Sequence, residues 1–107
     1  MTIHEHPNLN IANQRRLQAA ALRATVTAAG RHGGIRLAIQ AIEDRDNALR
    51  FRGLLEAVHG IGRPTAEELL DRAGIHPEAA LRDERVTQRQ RALLVGQLLE
   101  YDRTKRR

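Results

Sequence analysis

The sequence predicts an all-α fold, a small helical domain, and three observations carry that expectation. Alanine, leucine, arginine and glutamate dominate, and runs of β-branched residues are absent. Nowhere do apolar and polar residues alternate over a strand's length, whereas apolar residues recur at helical spacing. Glycines and prolines stand between the periodic stretches, where helices begin and end. At 107 residues the chain is expected to form one domain.

Residues 1–10 read as a flexible N-terminus, with Pro7 marking the boundary and Asn8, Asn10 or Asn13 available as a helix N-cap. A long first helix is predicted over 11–29. Its apolar residues are split, Leu17, Ala20, Ala21 and Ala24 on one side and Leu22 and Val26 on another. With Arg15, Arg16 and Arg23 it reads as an arm lying on the domain or on a ligand, or as an ordinary flanking helix. Gly30, Gly33 and Gly34 are expected to break the chain and close an N-terminal segment over 11–34.

The binding domain is then predicted over 35–101. Ile35, Ala38, Ile39 and Ile42 repeat as the buried face of a second helix, and 43–47 is a polar turn. One helical turn over 48–50 leads to a short third helix carrying Leu54, Leu55 and Val58. The next helix should bury Ala66, Leu69, Leu70 and Ala73 and expose Glu67, Glu68, Asp71 and Arg72. Pro64 suits its first turn and Gly74 its left-handed C-terminus. A last helix is predicted over 87–101, opened by a Thr87/Gln90 capping box. Residues 102–107 read as a frayed basic tail.

Composition narrows the function classes. Aromatic content is 2%, Phe51 and Tyr101, so the core must come from Leu, Ile, Val and Ala, with modest burial per residue. There is no cysteine, which excludes disulfides and thiolate metal sites. No apolar stretch is long enough to span a bilayer, and the N-terminus lacks the pattern of a secretory signal, so a cytoplasmic protein without a membrane role is expected. Apart from His4-Glu5-His6 the histidines show no ligand spacing, so neither a metal nor a cofactor is expected. A formal charge of +5 favours a polyanionic partner. Lys105 is the only lysine, a bias that suits planar phosphate contacts but that a GC-rich genome also produces.

The most informative stretch is Gly60-Ile61-Gly62, between apolar residues at helical offsets on both sides. A helix, an apolar residue between two glycines, and a second helix form the helix-hairpin-helix pattern. Gly60 and Gly62 permit positive φ and close approach of another backbone, while Ile61 fills the gap between the helices. The N–H groups at the start of the second helix then face outward beside the positive end of its dipole, where a phosphate fits. Such donors carry no direct base information. The same pattern also serves as a ligand-free connection between packed helices. Residues 54–77 hold four acids and two arginines, whereas the chain from Glu78 onward holds eight basic and five acidic residues. The turn is therefore expected to join the cluster of Arg82, Arg85, Arg89 and Arg91 around the start of the last helix in one binding face, flanked by Arg50 and Arg52; whether Arg89 or Arg91 turns to the apolar side is open. The expected DNA-binding set is Gly60, Ile61, Gly62, Arg63, Thr65, Arg82, Arg85, Arg89, Arg50 and Arg52.

The turn, followed by Ala73-Gly74-Ile75-His76-Pro77 and Thr87-Gln88-Arg89-Gln90, resembles the helix-two-turn-helix segment of small-subunit ribosomal protein S-thirteen. In whole-chain order, an Arg- and Ala-rich first helix, a Gly-Gly break, Leu-Leu-Glu-Ala-Val before the turn and Arg91-Ala92-Leu93-Leu94 near the end resemble the actinobacterial integration host factor family. The resemblance runs from about Asn13 to Leu99. It implies a monomeric nucleoid-associated protein that binds duplex DNA with little sequence preference and bends or compacts it. A phage integrase or a topoisomerase would be its protein partner. The family's phosphate-contacting turn maps onto Gly60, Ile61, Gly62, Arg63 and Thr65. The chain departs from the family in reading Ala79-Ala80-Leu81-Arg82-Asp83-Glu84-Arg85 where an arginine-rich stretch is usual, and Pro64 is unusual.

Other classes fit less well. A DNA glycosylase or lyase needs a nucleophilic lysine or N-terminal proline, and the sole lysine lies in the tail, so no enzyme is expected. A ribosomal-protein-like RNA-binding role lacks aromatic stacking residues. The last helix, with Leu94, Val95, Leu98 and Leu99, could dock an integrase or another chain, but it reads first as the core's central helix.

Overall fold

The computed structural model describes residues 7–104. It consists of α1 (Pro7–Ala28), α2 (Gly30–Asp44), α3 (Phe51–Ala57), α4 (Arg63–Ala73) and α5 (Gln88–Thr104). Among the described residues no strand forms, only an isolated antiparallel bridge between Arg50 and Ala80. The all-α expectation holds. Residues 1–6, with His4 and His6, and residues 105–107, with Lys105, lie outside the described residues.

Several boundaries differ from the sequence expectation, each for a physical reason. Helix α1 starts at Pro7, so residues 7–10 are helical and the asparagines lie inside the helix. Proline suits a helix's first position, where no N–H is required. The glycine break is a single residue, Gly30 at φ 76°. Gly33 and Gly34 are helical, and Gly34 is where α2 meets its neighbours: a Cβ there would stand 3.1 Å from the Val26 carbonyl oxygen and 3.7 Å from Val58 Cα. Residues 48–50 form no helical turn, because Arg50 bridges to Ala80 and the Phe51 N–H donates to the Ala79 carbonyl at 2.9 Å. Helix α5 continues through residues 102–104, so the tail is helical to Thr104, and Asp102 is buried.

Leu22 and Val26 are the side of α1 that meets the core, with Val26 fully buried, while Leu17 is 69% exposed. Residues 10–18 are exposed throughout, so this stretch of α1 buries no apolar side chain. The core itself is aliphatic apart from Phe51: Ile35, Ile42, Leu54, Leu55, Leu70, Leu81, Leu94 and Leu98 are fully buried around it. Helix α4 buries Ala66, Leu69, Leu70 and Ala73, as its periodicity predicts, and Gly74 closes it at φ 74°. The Thr87/Gln90 capping box also forms, with reciprocal bonds of 2.8 and 3.1 Å.

Hydrogen bonds along α5 set the helix directions. Gln90 donates to the Gly74 carbonyl, Gln97 to that of Leu69, and Tyr101 to that of Gly60. Moving forward along α5 thus moves backward along α4. Arg91 reaches the Ile42 carbonyl and Asp102 meets His32, so α2 is also antiparallel to α5. One end of the molecule therefore gathers the starts of α2 and α4, the end of α5 and the Gly60 turn. The other end gathers the end of α2, the loop after Pro77 and the start of α5. That loop docks on the α2–α3 connection through the Leu81 N–H to the Leu49 carbonyl and the Arg82 N–H to the Asn47 carbonyl.

Arg91, 3% exposed, is a structural cation. Its guanidinium donates to the carbonyls of Val86, Ile42 and Asp83 and lies 5.4 Å from the Phe51 ring centroid. Burial, and then the nearby Arg45 charge, pull its pKa below the ordinary arginine value. One side chain thereby pins the end of α2, the loop and the start of α5 together.

Candidate nucleic-acid interface

The turn is built as its sequence suggests, with one difference. Helix α3 ends at Ala57, the Ile61 N–H donates to the Val58 carbonyl at 3.0 Å, and Ile61 is 4% exposed, sealed into the core. Gly60 takes φ 95°, a conformation side chains resist. Gly62, in contrast, is extended at φ −86°, ψ 177°, which any residue adopts. A Cβ at Gly62 would meet only Pro64 Cδ, at 3.7 Å. Nothing in the fold therefore demands glycine at 62.

Gly62 is the N-cap of α4, and no side chain caps the helix. Its carbonyl accepts from the Ala66 N–H at 3.0 Å. The N–H groups of Gly62, Arg63 and Thr65 meet no acceptor among the described residues, and Pro64 has none to offer. Gly62, Arg63 and Pro64 are exposed, and Thr65 is half-buried. The helix start thus presents bare donors at the positive end of an 11-residue dipole.

Arg82, Arg85 and Arg89, expected to join the turn, are not gathered there. Tyr101, bonded to Gly60, is 12 residues beyond Arg89, which puts Arg89 about 18 Å away along the α5 axis. Arg85 stands with Gly74 and His76, at the opposite end of α4 from the turn, and Arg82 is tied by its N–H to Asn47. The expected single face is corrected to two separate ends, because α5 runs antiparallel to α4 and carries its first turn away from Gly60.

Pairing divides these cations further. Glu78 accepts from Arg50 at 2.9 Å and from Arg52 at 2.8 Å, and Glu67 lies 3.4 Å from Arg52 and 3.5 Å from Arg63. Arg50 and Arg52 are thus engaged by carboxylates within the protein. Arg85 chelates Asp83, and its side-chain and then backbone hydrogen bonds hold the Asp83 carboxyl down at about 2. Arg82 and Arg89 are exposed, without side-chain partners among the described residues.

Four residues that the sequence reading did not select stand at the turn's end of the molecule. The Tyr101 hydroxyl donates to the Gly60 carbonyl at 3.1 Å. His32 Nδ1 lies 2.7 Å from Asp102 Oδ2, while Asp102 Oδ1 is buried without a partner. Arg31 Cδ is 3.9 Å from the point where a Gly60 side chain would begin. His32 and Asp102 are 70 positions apart, so no local pattern announces the pair; only the antiparallel course of α2 and α5 creates it. Comparison with protein-family models, with curated proteins and with solved structures finds no match to this chain.

Proposed function

We propose that this protein binds duplex DNA through its sugar-phosphate backbone, without catalysis and largely without sequence preference. In this reading it is a nucleoid-associated protein like those of the actinobacterial integration host factor family, acting in the cytoplasm on the nucleoid. A phage integrase or a topoisomerase would be its protein partner. The observation that carries the reading is the acceptor-free set of N–H groups at exposed Gly62 and Arg63 and half-buried Thr65, beside a glycine turn sealed by Ile61. A phosphodiester oxygen is the acceptor such donors suit. The exposed Arg82 and Arg89 at the other end of the body, and Arg15, Arg16 and Arg23 on an α1 that carries no acid, supply further cationic zones. Zones set apart in this way favour bending or bridging of DNA over a single point of contact.

Gly62 supplies the test. Aspartate at an N-cap accepts from the third helical N–H, here Thr65, and suits the helix dipole. Gly62→Asp should therefore leave the fold as stable as before, or slightly more stable, while it occupies the Thr65 donor and repels phosphate from the other two. Gel shifts on several unrelated duplexes at two salt concentrations, with double-stranded RNA as competitor, measure the outcome. The expected result is binding of every duplex, weaker in high salt, and a loss of at least about tenfold in the variant. Equal binding by the variant would refute anchoring at these amides, and preferential capture by the RNA would reassign the ligand.

A further inference from the structure

We propose that Arg31 is the cation of the turn, gripping the same phosphodiester group that the amides of Gly62, Arg63 and Thr65 hold; this rests on the DNA-binding reading above. Arg31 is the second residue of α2, from a different part of the chain than the turn. Its Cδ stands 3.9 Å from where a side chain at Gly60 would begin, ordinary contact distance, so the arginine stem lies directly beside the turn. The stem is half-buried, which restricts the side chain before any ligand arrives.

Two acids at this end are engaged elsewhere, and Glu56, which precedes the turn, forms no ion pair with Arg31. Asp102 is taken by His32 at 2.7 Å, and Glu100 by Arg103 at 2.7 and 2.8 Å. Arg63 leans on Glu67 at 3.5 Å. Arg31 has no ion-pair partner among the described residues. Asp102 is therefore spent on the neighbour of Arg31, and Arg31 stands beside Gly60, two residues before the first bare amide, without an ion pair. A guanidinium can offer a phosphate two parallel donors in addition to those of the turn.

The test compares wild type with Arg31→Gln, Arg31→Lys and Arg36→Gln, the last being an equal charge change at an exposed site on the same helix. Binding to two unrelated duplexes is measured across a salt series, with circular dichroism and melting of each variant as the check on folding. Arg31→Gln is expected to weaken binding about tenfold and to flatten the slope of log affinity against log salt by about 0.9. Arg31→Lys should restore the slope but not the full affinity, and Arg36→Gln should match wild type. If wild type binds and Arg31→Gln behaves as Arg36→Gln does, the assignment of Arg31 is overturned while the turn stands. If wild type binds no duplex, the turn reading fails and Arg31 falls with it.

Discussion

Three cases show why a residue's type does not by itself give its role. Arg91 and Arg89 are two positions apart on α5, yet one is sealed in the core and the other is exposed. Of the three carbonyls that Arg91 satisfies, only that of Asp83 has a second donor, the Val86 N–H at 3.2 Å, and hydrogen bonds to a charged group are among the stronger ones. Arg91→Met should therefore cost about 2–4 kcal/mol, read as a lower urea midpoint at unchanged slope. Asp83 offers a second check. Its carboxyl titrates at about 2 in the folded chain against an ordinary 3.8, so its stabilising contribution is complete above 3.8 and is lost as pH falls through about 2. Arg85→Ala removes the first cause of that depression, and an NMR titration should find the Asp83 carboxyl returned toward 3.8. Gly62 is the third case: an N-cap that the fold would let any residue fill, left bare.

At the scale of elements, legibility followed local chemistry. Helix α4 was readable in full because its apolar period, its proline and its C-terminal glycine all act within one segment. The Thr87/Gln90 box gave α5 its start for the same reason. Gly33 and Gly34 misled because close approach of α1 to α2, not a turn, explains Gly34. The site was legible only as far as the turn itself. Arg50, Arg52 and Arg85 read as free cations until tertiary contacts paired them with Glu78, Glu67 and Asp83, and Arg31 joined the turn only through packing of α2 beside it. Helix α1 has two unequal halves, and deletion separates them. Removing the chain before Leu17 should lower stability by no more than about 1 kcal/mol, because residues 10–16 bury no side chain. Val26→Ala, in the half that packs, should cost about 2 kcal/mol in the same denaturation experiment.

Across the whole molecule, opposite ends carry the arginines proposed to meet DNA. The end with the turn holds Arg31 and Arg63, and the other holds Arg82 and Arg89, about one α5 length apart. Two cations on phosphates imply a slope of log affinity against log salt near −2, whereas all four imply about −4. A salt series on a duplex long enough to reach both ends therefore reports whether one end or both engage. The account's centre remains the set of amides at the start of α4, and these can be watched directly. In an amide-resolved NMR titration with a short DNA duplex, the N–H signals of Gly62, Arg63 and Thr65 should shift first and furthest, with Ile61 moving little. Saturable binding that leaves those three signals in place would contradict the account.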